Sequence, residues 1–454
     1  MLKNGLIETE KLSEILSREI ERWQPTGRAL TRLEYEIPAI DPLHWLAHQQ
    51  QEQKLYWSNR ERTVEIAGIG SVVAIRGWRA DELQEQWTEM ARFLARDNRL
   101  KFFGGMRFSQ HQNGDRTWHA FPFFHFYLPA FEVIRKEQQT LFVCNLYQPP
   151  ETALSELRAR YLQMLRQLFA GNGKADAPIR FLRRVDNPGQ EEWEQNIRRA
   201  LHFLDGRPLE KVVLARKSEL YFNRALKPER LLQEFRASNP NSFLFLFQPE
   251  KEDAFLGSTP ERLFRRTGRH LETEAVAGTR RRGQTPEEDR QLKEDLLQCE
   301  KDLREHAYVV DTIERVLSPL SRILEKDEKV GILENARVQH LILRFRAGLK
   351  SRISDLDVLR VLHPTPAVGG VPKKEAIEKI HQLEHFDRGW YAGPVGWVSQ
   401  QQAEFAVGIR SALLQGHKAS LFAGAGIVQG SDPQAEWREI ENKIANFIKI
   451  LHIA

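Results

Sequence analysis

The chain has 454 residues, 41% hydrophobic and 28% charged, enough for a sizeable core beneath a well-solvated surface. Its 67 basic and 62 acidic residues leave a net charge of +5, too small and too dispersed for a nucleic-acid binder, though a modest positive field suits a small dianionic substrate. No run of about 18 apolar residues predicts a membrane span, and the two cysteines, Cys144 and Cys299, lack metal-ligand or redox spacing and fit a reducing cytoplasm.

Residues 1–5, Met-Leu-Lys-Asn-Gly, lead into a charged amphipathic stretch without the apolar segment of a secretory signal. Residues 11–23 have helical period. Short β-like runs dominate 31–77, among them Thr63-Val64-Glu65-Ile66 and Ser71-Val72-Val73-Ala74-Ile75, and 79–97 reads as a surface helix. Residues 121–147, rich in aromatic and β-branched side chains, read as successive strands, followed by helical segments at 151–170 and 189–204. There is no internal repeat and no low-complexity tract.

The character changes at Asp205-Gly206-Arg207-Pro208, a turn signal. Lys211-Val212-Val213-Leu214-Ala215 is a strong strand, and strands continue through 242–248 and 262–277. Helices occupy 287–320, and strand-like runs recur at 341–350, 394–399, 404–414 and 419–428. The chain closes on a helix over 433–451, with Ser431 or Asp432 to cap its free amides and Pro433 at the first helical position. Many antiparallel-looking strands with inserted helices predict an α+β fold of layered, largely antiparallel sheets with helices outside. The first 204 residues read as an amino-terminal region whose strands extend the same sheets.

Two carboxylate clusters stand out. Glu305 belongs to Glu300-Lys301-Asp302-Leu303-Arg304-Glu305-His306, and Glu436 and Glu439 stand three apart on one face of the closing helix. Carboxylates gathered on facing helices suit a hard, oxygen-loving divalent cation. Spacing alone does not bring the clusters together, and a solvated helix face with Arg438 and Lys443 as partners is the alternative for Glu436 and Glu439. Lys211 opens an apolar strand, where an amine is paired, loses its proton, or reaches out to water. Glu261 follows the turn Ser258-Thr259-Pro260, where pairing with Arg262 or Arg265 is the plainer reading. Gly424-x-Gly426 allows a tight turn or close approach of a ligand, and it lacks the third glycine of a dinucleotide fingerprint. Arg280-Arg281-Arg282, the one basic triplet, follows the Ala-Gly-Thr turn.

Seven motifs occur in one order across residues 205–454: Lys211-Val212-Val213-Leu214-Ala215-Arg216, Gly257-Ser258-Thr259-Pro260-Glu261, Ala277-Gly278-Thr279, Glu300-Lys301-Asp302 to His306, Leu362-His363-Pro364-Thr365-Pro366-Ala367, Phe422-Ala423-Gly424-Ala425-Gly426-Ile427-Val428, and Glu436 to Lys443. Together they resemble the chorismate-utilising enzyme family. The resemblance implies a fold like anthranilate synthase component I, a catalytic region over 205–454, and chorismate as substrate. Ammonia-using members carry Gln where this chain has Lys211, and aminodeoxychorismate synthases tend to carry Lys where it has Ala277. The Leu-Leu-Glu-Ser element of feedback-regulated members is missing from the first 60 residues. The departures point to the water-using isochorismate synthases, menaquinone-type, with no glutamine amidotransferase subunit; salicylate synthase and a siderophore pathway are the first alternatives, an ammonia-using anthranilate or aminodeoxychorismate synthase and a non-catalytic chorismate-binding protein the further ones.

The resemblance also implies roles. Lys211 is the base and Glu261 the acid. Glu305 and Glu439, with Glu436 close by or acting through water, bind Mg²⁺. Arg410, Lys443, the amides of Gly278 and Thr279, and Gly424 and Gly426 hold the substrate anions. His363 contacts substrate near the departing hydroxyl or is a structural histidine held by backbone, and Tyr391 lines the pocket.

Overall fold

Strands mostly buried along their whole length assemble into two large antiparallel sheets in a computed structural model that describes residues 9–25, 30–110, 115–168, 179–206, 208–334 and 338–451. Residues 1–5, Arg207 of the predicted turn and the last two residues of the 151–170 helix lie outside the described residues.

The first sheet has twelve strands. It runs from Thr31–Glu36 through Gln139–Leu146, Phe131–Lys136, Val64–Ile69 and Lys54–Ser58 to Phe243–Glu250. It continues through Asp253–Thr259, Ser411–Gln415 and Lys418–Ile427 to Lys211–Phe222, whose outer edge is shared by Gly370–Val371 and Phe181–Asn187. The second sheet has ten strands, from Ser321–Lys326 through Val338–Leu349, His270–Arg281, Arg262–Thr267, Gln402–Val407 and Pro394–Val398 to Phe102–Met106, Phe124–Leu128 and Val73–Gly77; Gly331–Glu334 pairs with Val338–Leu349. The α+β class and the layered antiparallel sheets match the sequence expectation. Amino-terminal strands pair directly with carboxy-terminal ones: Lys54–Ser58 with Phe243–Glu250, and Phe102–Met106 with Pro394–Val398. The core is shared too. Trp118 is fully buried and packs on Phe255 and Phe422.

Two predicted strand runs divide, each at a residue whose backbone leaves the regular pattern. The 262–277 run is a hairpin, Arg262–Thr267 and His270–Arg281, turning at Gly268. The helices predicted over 287–320 are Pro286–Gln298 and Glu300–Leu317, separated by extended Cys299. The 404–414 run is two strands in different sheets, Gln402–Val407 and Ser411–Gln415, because Arg410 adopts φ +50, which a continuous strand does not accommodate.

That last division shapes the site. Asp253–Thr259 in the first sheet continues as Arg262–Thr267 in the second, beside the Gln402–Val407 to Ser411–Gln415 crossing. The two segments therefore change sheets together. Hydrogen bonds from the Ser258 amide to the Arg410 carbonyl (3.1 Å) and from the Val407 amide to the Glu261 carbonyl (3.0 Å) lock the crossing. Glu261 and Arg410 are both crossover residues. Two outer helices complete the frame. Glu300–Leu317 packs on His270–Arg281, and Pro433–Ile450 packs on Lys418–Ile427 with Asp432 accepting from the Ala435 amide and Pro433 opening the helix.

Candidate active site

Lys211 begins the strand Lys211–Phe222 and is almost fully buried, at 1% exposure. An apolar strand start cannot hydrate an ammonium, so the amine needs a partner. It donates to Glu305 Oε1 at 2.6 Å, from the helix Glu300–Leu317. The Lys211 charge, above all, holds the Glu305 carboxyl below the usual range, against the opposing effect of burial. The adjacent strand approaches closely at Gly426, opposite Val213. A Cβ there would lie 2.9 Å from Lys211 Cε and 3.5 Å from Glu305 Oε1, so only glycine leaves the pair its space.

Glu261 stands at the crossover, where neither Arg262 nor Arg265 takes its carboxylate. Arg262 turns instead to Glu61, Glu274 and Glu404, and Arg265 to Glu272. Burial pushes the Glu261 carboxyl up to about 7, with Thr365 donating to Oε1 at 3.3 Å and the Lys211 charge both pulling the other way and Glu274 adding to the rise. The acid thus senses the amine. Tyr391, buried and stacked on Phe422, senses Glu261 and Arg410, and burial raises its hydroxyl to about 12. Its hydroxyl lies 3.1 Å from where a Gly424 Cβ would stand.

Arg410 is a cation without a counter-ion. Among the described residues no carboxylate pairs with its guanidinium, burial lowers its pKa, and the charges it senses are Tyr391 and Glu439. An enclosed fork with free donors is suited to an incoming carboxylate. Lys443, from the closing helix, donates to the Gly424 carbonyl at 2.8 Å and to Glu439 at 2.5 Å.

Gly278 interrupts the pairing of His270–Arg281 with Val338–Leu349 as a bulge at φ +71, a conformation glycine takes without strain. Its carbonyl and the Thr279 hydroxyl both meet His340 Nδ1, at 3.2 and 3.0 Å. His340 also senses Arg410 and Lys443, and burial lowers it to about 4. It belongs to this cluster although its only local signal is a histidine beside the apolar run Leu341-Ile342-Leu343 of the strand Val338–Leu349. His363 is turned differently. Its Nε2 meets the Phe108 carbonyl at 3.0 Å and burial lowers it to about 3, which matches the structural histidine among its two readings. Its neighbour Thr365 reaches the acid instead.

The three glutamates expected around a cation face one region without converging. Among the described residues their oxygens are not all within 4.8 Å of one another. Lys211 draws Glu305 one way and Lys443 draws Glu439 another. Glu436, at 7% exposure, has its carboxyl raised by burial and by the Glu439 charge. The three offer hard carboxylate oxygens, the donor type a magnesium ion takes, with Glu305 and Glu439 engaged by Lys211 and Lys443.

Comparison with known proteins shows the family and the fold. The family model described as "Chorismate binding enzyme" matches residues 18–452. The isochorismate synthase MenF of Haemophilus influenzae is 31% identical, over 99% of this chain and 98% of that protein. The solved structure of MenF, the menaquinone-specific isochorismate synthase of Escherichia coli, superimposes with a TM-score of 0.86 at 31% identity, covering 97% of this chain and 98% of the other. Anthranilate synthase component I of Streptococcus pneumoniae shares the fold, with a TM-score of 0.65 at 19% identity over 98% and 100% of the two chains. A site built from the strand lysine, the crossover glutamate and the two helix-borne carboxylate sets, in a chain matched almost end to end, places this protein in the chorismate-binding enzyme family.

Proposed function

We propose that this chain is an isochorismate synthase, an isomerase that interconverts chorismate and isochorismate in menaquinone biosynthesis. The observation that carries the reading is a buried amine, Lys211, whose charge acts on a carboxyl that burial raises to about 7, Glu261. The likeness to the Escherichia coli enzyme supports the pathway.

The reaction adds water at C2 of the ring while the C4 hydroxyl leaves and the two ring double bonds shift between them. Lys211 acts from its neutral amine form: its extra proton first leaves the ion pair with Glu305, and the amine then accepts a proton from the attacking water. Glu261 gives its proton to the departing hydroxyl, which leaves as water, so no net proton or electron is consumed. Each group regains its starting state by running the same transfers backwards or by exchange with solvent. A base needs a site where its charged form is not overwhelmingly favoured, and an acid must still hold its proton at working pH; burial raises the Glu261 carboxyl in that sense. Arg410 and Lys443 receive carboxylates, with Gly278 and Thr279 supplying backbone donors without bulk. Tyr391 closes the pocket beside Gly424. Mg²⁺, held by Glu305, Glu439 and Glu436, would supply counter-charge to the ring carboxylate.

Water rather than ammonia is the nucleophile in this reading, so no glutaminase partner is involved. No helix among the described residues is long and apolar enough to cross a membrane, and Cys144 and Cys299 are unpaired thiols, which supports a reducing cytoplasm. Incubation of the purified protein with chorismate and Mg²⁺, followed by chromatography of the products, tests the proposal. Accumulating isochorismate supports it. Salicylate with pyruvate, or an aminated product on adding ammonium salts, overturns it.

A further inference from the structure

We propose that Arg60, from the amino-terminal region, is a positioning residue for the acid: it clamps the crossover turn that carries Glu261 and neutralises the carboxylate behind it. The inference rests on the proposed function, in which Glu261 donates a proton, and gives part of the motif-free first 204 residues a role in it.

The geometry is specific. Arg60 follows the strand Lys54–Ser58, which pairs with Phe243–Glu250. Its side chain is 11% exposed. Both terminal nitrogens engage Glu274, at 2.6 and 2.9 Å, and one of them also donates to the carbonyl of Pro260, the residue before Glu261, at 3.2 Å. Glu274 is itself buried and lies on His270–Arg281, three residues before Ala277. A single guanidinium therefore ties the first sheet to the turn and to a strand of the second sheet.

Charge makes the contact more than mechanical. The groups that face Glu261 are Lys211, which favours its carboxylate form, Glu274, which disfavours it, Tyr391 and the Thr365 hydroxyl. Glu274 in turn is held by Arg60 and Arg262 and senses Arg344. Arg262 is shared with Glu61 and Glu404. Two arginines, Arg60 and Arg262, thus serve three carboxylates, Glu61, Glu274 and Glu404. Withdrawing Arg60 leaves Glu274 dependent on an arginine already divided among others, and its charge then bears more fully on Glu261. A bidentate fork is also something a lysine cannot reproduce.

The test is the pH dependence of kcat/KM for the chorismate reaction in the full-length enzyme. In wild type, activity falls as Glu261 loses its proton. Arg60→Gln is expected to move that fall to higher pH by about half a unit or more, with kcat down about tenfold from the loosened turn. Adding Glu274→Gln to Arg60→Gln removes the uncompensated charge and returns the fall to its wild-type position. Arg60→Lys keeps the charge but not the fork, so it loses rate with the pH profile unmoved; this variant carries the test if Arg60→Gln does not fold. A profile that stays in place in Arg60→Gln, or full activity in Arg60→Lys, overturns the inference while leaving the proposed function intact. A wild-type protein that makes no isochorismate overturns the function itself, and the inference with it.

Discussion

Lys211 Nζ and Glu305 Oε1 lie 2.6 Å apart although 94 positions separate them in the chain. The contact joins the proposed base to one of the proposed cation ligands, so the two halves of the chemistry share one electrostatic unit. Lys211 is buried, while the Glu305 side chain keeps 25% of its exposure. Loss of the lysine therefore leaves a carboxylate that water can still reach.

Lys211→Ala is expected to reduce turnover by about a hundredfold to ten-thousandfold, the range for losing a positioned proton-transfer group. The fold should survive, because the remaining glutamate can be hydrated. Steady-state kinetics with far-ultraviolet circular dichroism check both halves; near-normal turnover would remove the proposed base.

The Glu261 carboxyl is raised by burial to about 7. As a general acid it works only when protonated, so kcat/KM should decline as pH rises through about 7, and Glu261→Gln should abolish that decline along with most of the rate. Stability carries the same sign. Between the ordinary carboxyl value near 4.5 and about 7, the folded state holds a proton that the unfolded state has released. The folded protein therefore loses stability as pH rises through this window. Thermal melts should show Glu261→Gln gaining on wild type above neutrality and not below pH 4.

The crowding of Glu436 against Glu439 is the basis of a metal prediction. EDTA should stop the reaction, and added Mg²⁺ should restore it. Glu439→Gln should raise the Mg²⁺ concentration needed for half-maximal rate by about tenfold or more. An unchanged titration of rate against Mg²⁺ would argue against Glu439 as a ligand.

Arg410 separates binding from stability. Its guanidinium has no ion-pair partner among the described residues, so Arg410→Gln removes an enclosed charge rather than an interaction. The melting temperature should hold or rise, while KM for chorismate rises about tenfold or more through loss of a charge-assisted hydrogen bond. A fall in melting temperature with KM unchanged would show that Arg410 serves the fold.

The strand bearing Lys211, the capped closing helix and the layered antiparallel sheets were legible because each depends on local pattern. Lys211 opens an apolar run, and Asp432-Pro433 marks a helix start with its own chemistry. The crossover was not. Residues 404–414 read as one strand-like run, and nothing local announces that Arg410 turns the chain from one sheet to the other at φ +50. The same holds for the groups that complete the site. His340 meets Gly278 and Thr279 through strand register across about sixty residues, and Thr365 meets Glu261 across about a hundred. Such contacts are set by topology, which periodicity does not encode. The helices Pro228–Ser238, Asp355–Leu362 and Lys373–Leu383 were passed over for a plainer reason: each is short, and two of the three span only 11 residues.

The central claim is that a base and an acid act on a single ring held between them. A crystal structure of the full-length protein with chorismate and Mg²⁺ tests it most directly. The account predicts one ring with C2 facing the Lys211 amine, the C4 oxygen facing the Glu261 carboxyl, and the ring carboxylate at a metal ion bound by Glu305 and Glu439. Chorismate seated away from either side chain, or a metal ion bound without those glutamates, would contradict it.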